Sequence, residues 1–167
     1  MTVTTNMGSK MRGLMLAGAL AATMALGACG ETEAPVEQVE GVVPGLTVTN
    51  ARMMLAPVEG NPAAVYFDVA YEGDRGISIS GAEVEGAASA TVHDMMEYNF
   101  EMTMAEAGPI AVTNGSEITF EPGALHVMAF EPSADLQPGG KAEVTLKISG
   151  GDRHKFEADI RAAGDER

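Results

Sequence analysis

Apolar and polar positions alternate with period two along most of the chain after residue 45. Leu46-Thr47-Val48-Thr49-Asn50-Ala51 and Ala142 to Ser149 show the alternation most cleanly, and each predicts a strand with one buried face. Ala63 to Tyr71 is β-branched and aromatic enough for a buried strand. Further strands are predicted at Ile77 to Val84, Ala88 to Met96, Phe100 to Met104, Glu117 to Phe120, Leu125 to Phe130 and Lys155 to Ile160. Between them stand turn residues: Gly73 to Gly76, Gly86, Gly108-Pro109, Glu121-Pro122-Gly123, Pro132 to Gly140 and Gly150-Gly151-Asp152. No stretch carries a helical period beyond a turn or two. Short strands separated by frequent turns predict an all-β sandwich or barrel in one domain over residues 45–161, with a tail at 162–167.

The residues before that domain follow other rules. Lys10 and Arg12 precede an apolar run of 13 residues, Leu14 to Leu26, too short to span a bilayer. The run ends in Leu26-Gly27-Ala28-Cys29, which resembles a bacterial lipobox. Residues 1–28 therefore read as a lipoprotein signal peptide cleaved before Cys29, whose thiol takes the lipid. By the same resemblance, Gly30 after the cysteine points to the outer membrane facing the periplasm. Residues 29–44 are acidic and contain two prolines, as a flexible tether does. Cys29 is the only cysteine, which excludes a disulfide framework and a thiolate metal site within the domain.

Formal charge is −14 over 167 residues, and loss of Lys10 and Arg12 with the leader makes the mature chain more acidic still. Such a surface disfavours nucleic acid and anionic lipid headgroups and favours cations and basic partner surfaces. Contact with the membrane is left to the lipid alone.

Chemistry concentrates between residues 93 and 128, which hold two of the three histidines and five of the twelve methionines. Imidazole and thioether are uncharged, soft ligands that suit Cu(I) better than Zn, Mg or Ca. His126 and Met128 are two apart in a predicted strand and share a face. A four-residue hairpin loop at Glu97-Tyr98-Asn99-Phe100 would set His93 opposite Met104 and Met95 opposite Met102, with all four on one face. Taken singly, each methionine reads more naturally as packing and each histidine as a hydrogen-bonded surface residue. Together they form a candidate Cu(I) site of His93, Met104, His126 and Met128, with Met95 and Met102 as supporting or alternate ligands. Asp94, Glu97, Glu101 and Glu106 would offset the ion's charge. Cu(II) is a candidate for a secondary site through the histidines or the acidic tether. His154, between Arg153 and Lys155, reads as solvated. Met53 and Met54 read as packing near a loop.

Ten residues separate His93 from Met104, twenty-one separate Met104 from His126, and Val127 separates His126 from Met128. With the His93-Asp94-Met95-Met96 start and the Pro122-Gly123 turn before His126, this pattern resembles the periplasmic copper chaperone family PCuAC. The resemblance extends over roughly residues 45 to 161. It implies a cupredoxin-like Greek-key β-sandwich binding Cu(I) near its surface through those four residues. It also implies delivery of copper to the CuA centre of cytochrome c oxidase subunit II, or to another oxidase assembly factor, without enzymatic activity. Copper sequestration for tolerance, or a structural envelope lipoprotein without metal, are the alternatives the sequence leaves open. A blue-copper enzyme is excluded by the absence of a cysteine ligand.

Overall fold

The computed structural model describes residues 41–98 and 100–165. The leader, Cys29 and most of the tether lie outside the described residues. Ten strands follow in chain order: β1 (Leu46–Met54), β2 (Ala63–Tyr71), β3 (Ile77–Val84), β4 (Ala87–Tyr98) and β5 (Glu101–Glu106). After these come β6 (Ile110–Val112), β7 (Ser116–Phe120), β8 (His126–Pro132), β9 (Lys141–Ile148) and β10 (Arg153–Arg161). The all-β expectation holds, and no helix occurs among the described residues. Strand order is β5-β4-β8-β2-β1-β10-β9-β3-β6, with β7 beside the second half of β2. All pairings are antiparallel except β1 with β10. The long curled sheet folds over, so that β3 packs against β4 without pairing to it.

The sheet wraps a core of Met53, Val65, Phe67, Val69, Ile79, Val112, Phe120, Val127, Val144 and Leu146, among others. Phe67 lies at its centre, with its ring stacked on Phe120 at 4.2 Å and tilted against Phe156 at 4.9 Å. Alternation along β2 and β9 produces this directly, because every second side chain points inward.

β1 runs three residues further than its alternation predicts, by means of a bulge. Thr49 pairs with Asp68, but Arg52 pairs with Tyr66, so the stretch between gains one residue on the β1 side. Asn50 sits there at φ 55, a conformation Asn tolerates, and its side chain donates to Asp68 at 2.7 Å. One inserted residue exchanges the faces of everything beyond it. Met53 thereby enters the core with no exposure, whereas Arg52 and Met54 turn to the opposite face.

The approach to β1 is pinned by His154, which is buried rather than solvated. Its Nδ1 accepts the Val43 backbone N–H at 3.2 Å, while Lys155 N–H donates to the Gly41 carbonyl at 2.7 Å. The residue 41–45 segment thus covers the start of β10, a packing that alternation alone does not reveal. Burial lowers the His154 pKa below its ordinary value. In the unfolded chain the ring takes a proton near pH 6.5, which the folded chain refuses. Its contribution to stability is therefore complete above about pH 6.5 and is lost as pH falls below that value. Denaturant unfolding between pH 7.5 and 5 should show wild type losing stability relative to His154→Gln. The difference in slope should be at most about 1.4 kcal/mol per pH unit. Parallel curves would show that the ring titrates alike in both states.

Candidate metal site

β4 lies between β5 and β8, and its register fixes the site. Across β8, His93 is directly opposite His126 and Thr91 is opposite Met128. Across β5, Met95 is opposite Met104, Glu97 opposite Met102 and His93 opposite Glu106. Tyr98 pairs with Glu101, so the hairpin connection is shorter than the four-residue loop expected, and Phe100 adopts φ 65. His93 faces His126 and Glu106 instead of Met104. The difference from the expected register is two residues, and the side-chain period is also two, so facing is unchanged. His93, Met95, Met102 and Met104 still share one face of the sheet, and His126 and Met128 share it with them.

On that face Met104 reaches over β4 from one side and His126 from the other. Met104 Sδ lies 3.2 Å from His126 Nε2. The turn before β8 sets the ring. Glu121 N–H donates to the Leu125 carbonyl, and the chain curls so that the Ala124 carbonyl sits 2.8 Å from His126 Nδ1. A carbonyl only accepts, so Nδ1 carries the proton and donates. In the neutral ring Nε2 then holds a lone pair aimed at a sulfur that also holds lone pairs. No hydrogen lies between them. Two electron-pair donors directed at one point are a metal site in waiting: bond lengths of about 2.0 to 2.3 Å place two ligands of one ion about 3–4 Å apart.

His93 completes the cluster. Its ring centre is 5.9 Å from that of His126, edge to face, and 6.1 Å from Phe130. Its Nδ1 is buried with no hydrogen-bond partner among the described residues. An orphaned buried nitrogen is uncommon and costs about 1–3 kcal/mol unless something fills it. Desolvation, and next the His126 charge, lower the His93 pKa, with Glu106 opposing. The ring is thereby kept neutral and able to donate electrons at pH values where an ordinary histidine begins to protonate. Met128 follows His126 on the same face about 7 Å along β8. It is half-buried, with the small Thr91 and Ala64 opposite it on either side.

Among the described residues no three His, Cys, Asp or Glu side chains come together as a metal group. Any site here therefore needs its thioethers, which favours a soft monovalent ion over Zn or Cu(II). His126 itself is 6% exposed while Met104 is 46% exposed, so one side of the donor set is open to solvent.

Several neighbours of the site are not evident from the sequence motif. The Tyr66 ring lies 6.3 Å from His126, and Arg52 stacks over Tyr66 at 5.1 Å. The β1 bulge turns Arg52 to this face, and Tyr66, paired with Arg52, is there by the alternation of β2. The Ala124 carbonyl is foreshadowed only by the Pro122-Gly123 turn.

Comparison with known proteins identifies the family and the fold. The family described as "Putative lipoprotein LpqE-like" matches residues 46–160. "Putative lipoprotein Lxx21020" of Leifsonia xyli subsp. xyli (strain CTCB07) is 33% identical over 89 residues, covering 53% of this chain. The match spans about half of that relative's length, 54%. Among solved structures, the apo PCuAC domain from PmoF1 superposes with TM-score 0.59 at 26% identity, covering 72% of this chain and 96% of that domain. The copper-bound PCuAC domain from PmoF2 gives 0.58 at 23% identity, covering 74% and 98%. The Cu(I) form of DR1885 from Deinococcus radiodurans gives 0.56 at 21% identity, covering 75% and 84%. The fold is the cupredoxin-like fold of PCuAC domains.

Proposed function

The chain belongs to the LpqE-like lipoprotein family, and from that premise we propose that it is a lipid-anchored, extracytoplasmic Cu(I) carrier. The observation that carries this reading is the Met104 sulfur facing the His126 Nε2 at 3.2 Å with the unpartnered His93 Nδ1 beside them. His93, Met104, His126 and Met128 are the proposed ligands. The copper named for the PmoF2 domain and for DR1885 supports the same cargo.

All four ligands are uncharged, so the ion retains its positive charge at the rim of the sheet. Neutral soft donors hold Cu(I) without the thiolate that makes permanent sites, and the open side at Met104 admits a competing ligand. Delivery by ligand exchange follows more naturally than storage. We assign the acceptor to the CuA centre of cytochrome c oxidase subunit II or an oxidase assembly factor. The lipid on Cys29 would hold the carrier at the membrane, in the periplasm, through the 29–44 tether.

Anaerobic titration against a chromogenic Cu(I) chelator tests the proposal. One ion per protein should be withdrawn from the chelator, and X-ray absorption at the copper edge should show both nitrogen and sulfur scatterers. A chelator that keeps all its copper would defeat the carrier reading.

A further inference from the structure

The hairpin of β4 and β5 carries more thioethers than the four-ligand site uses. Met95 is directly opposite Met104, and Met102 is opposite Glu97, diagonal to Met95. All three sulfur-bearing side chains lie on the face of His93 and His126. Directly opposed Cβ atoms are about 5 Å apart and diagonal ones about 7–8 Å, within reach of a side chain as long and flexible as Met. Met102 is 61% exposed, Met104 46% and His126 6%. The donors therefore form a graded series from open solvent to the buried imidazole of His126. Two carboxylates share the face, Glu97 beside Met102 and Glu106 beside His93. From Asp94 to Ala107 there is no lysine or arginine, so the field along this ribbon draws cations inward.

We propose that Met102 and Met95 form a landing site for a soft monovalent metal ion, from which it passes through Met104 to the histidine pair. This rests on the carrier reading and adds a route to it. A d¹⁰ ion accepts three or four ligands with little geometric demand, so it can acquire one new thioether before releasing an old one. Met104 belongs to both sets and acts as the hinge of the exchange. No bare ion is formed at any stage. The same steps in reverse offer the ion to an incoming acceptor at the outermost sulfur.

Ag(I), a redox-inert d¹⁰ ion, is the probe, with methionine methyl groups labelled for NMR. In wild type the first equivalent should shift the methyls of Met104 and Met128, and the second those of Met95 and Met102. Met96, which the register turns to the other face, should not move. The Met95→Leu/Met102→Leu double variant keeps volume and apolarity at one half-buried and one exposed position outside the core, so its fold is retained. It should hold the first Cu(I) with affinity within about threefold of wild type while chelator-driven exchange slows by about tenfold or more. Exchange at the wild-type rate, or a second Ag(I) that shifts other methyls, would overturn the landing site. A wild type that binds no first equivalent would instead sink the carrier reading, while the Met95 and Met102 shifts would still report on the landing pair.

Discussion

His126→Ala should abolish competitive Cu(I) binding. Loss of a hydrogen-bond partner that merely supports a metal-bound histidine typically costs 10–100-fold in affinity, so removal of a ligand itself should cost roughly 100-fold or more. The position is singular because it serves three neighbours at once. Its Nε2 faces Met104, its ring meets His93 edge to face, and its Nδ1 is held by the Ala124 carbonyl. Alanine removes one donor and the lateral wall of the other two. The fold should persist, because His126 lies on the face opposite Val127 and the core. Chelator competition on a variant with native circular dichroism reads the effect. Affinity within a few-fold of wild type would assign the copper elsewhere.

Ala124 gives a finer check on the same ring. Its contact is through the backbone, so a side-chain change there leaves the tautomer in place, whereas changes at Pro122-Gly123 would disturb it. The orientation of a donor is thus written in the turn before the strand and not in the strand itself.

How far such features can be read from residues alone depends on their range. Alternation is local, and it located nine of the ten strands. It missed β6, because three residues between Pro109 and Thr113 are too few to show a period. The β1 bulge was hidden for a related reason. Within the stretch read as alternating, two polar residues follow one another at Thr49-Asn50, and the one extra residue there looks like an approaching strand end. Met53, read as packing near a loop, does pack, and it is among the most deeply buried side chains. The hairpin misled differently, because Phe100 is a poor residue for a short turn at φ 65 and nothing near it signals a tight reversal. The candidate site survived that error only because the slip was even. An odd slip would have sent Met104 to the far face. The His93 to His126 opposition depends on β8 inserting between β2 and β4, a long-range choice that no local pattern encodes. His154 depends likewise on where residues 41–45 come to rest.

Phe67→Ala separates the stability of the scaffold from the chemistry it holds. Phe67 has no exposure, pairs in register with Phe120 and touches Phe156, so it ties β2, β7 and β10 together. Truncating a buried phenylalanine costs about 3–5 kcal/mol, a large share of the 5–15 kcal/mol by which domains are usually stable. For a domain of this size the thermal midpoint should fall by on the order of 10–20 °C. The metal donors are carried by β4, β5 and β8 on the other face of the sheet, so copper affinity of the folded fraction in the cold should stay near wild type. Binding then feeds back on folding. Cu(I) buffered at a hundred times its dissociation constant should stabilise by about 2.7 kcal/mol any variant whose folded state alone binds it. Phe67→Ala should therefore recover much of its lost midpoint when copper is added, and wild type should gain a similar free energy. His126→Ala should begin near the wild-type midpoint and gain almost nothing. If copper raised the midpoint of His126→Ala as much as that of Phe67→Ala, the stabilising ion would be binding somewhere other than the ring and sulfur that meet above β4.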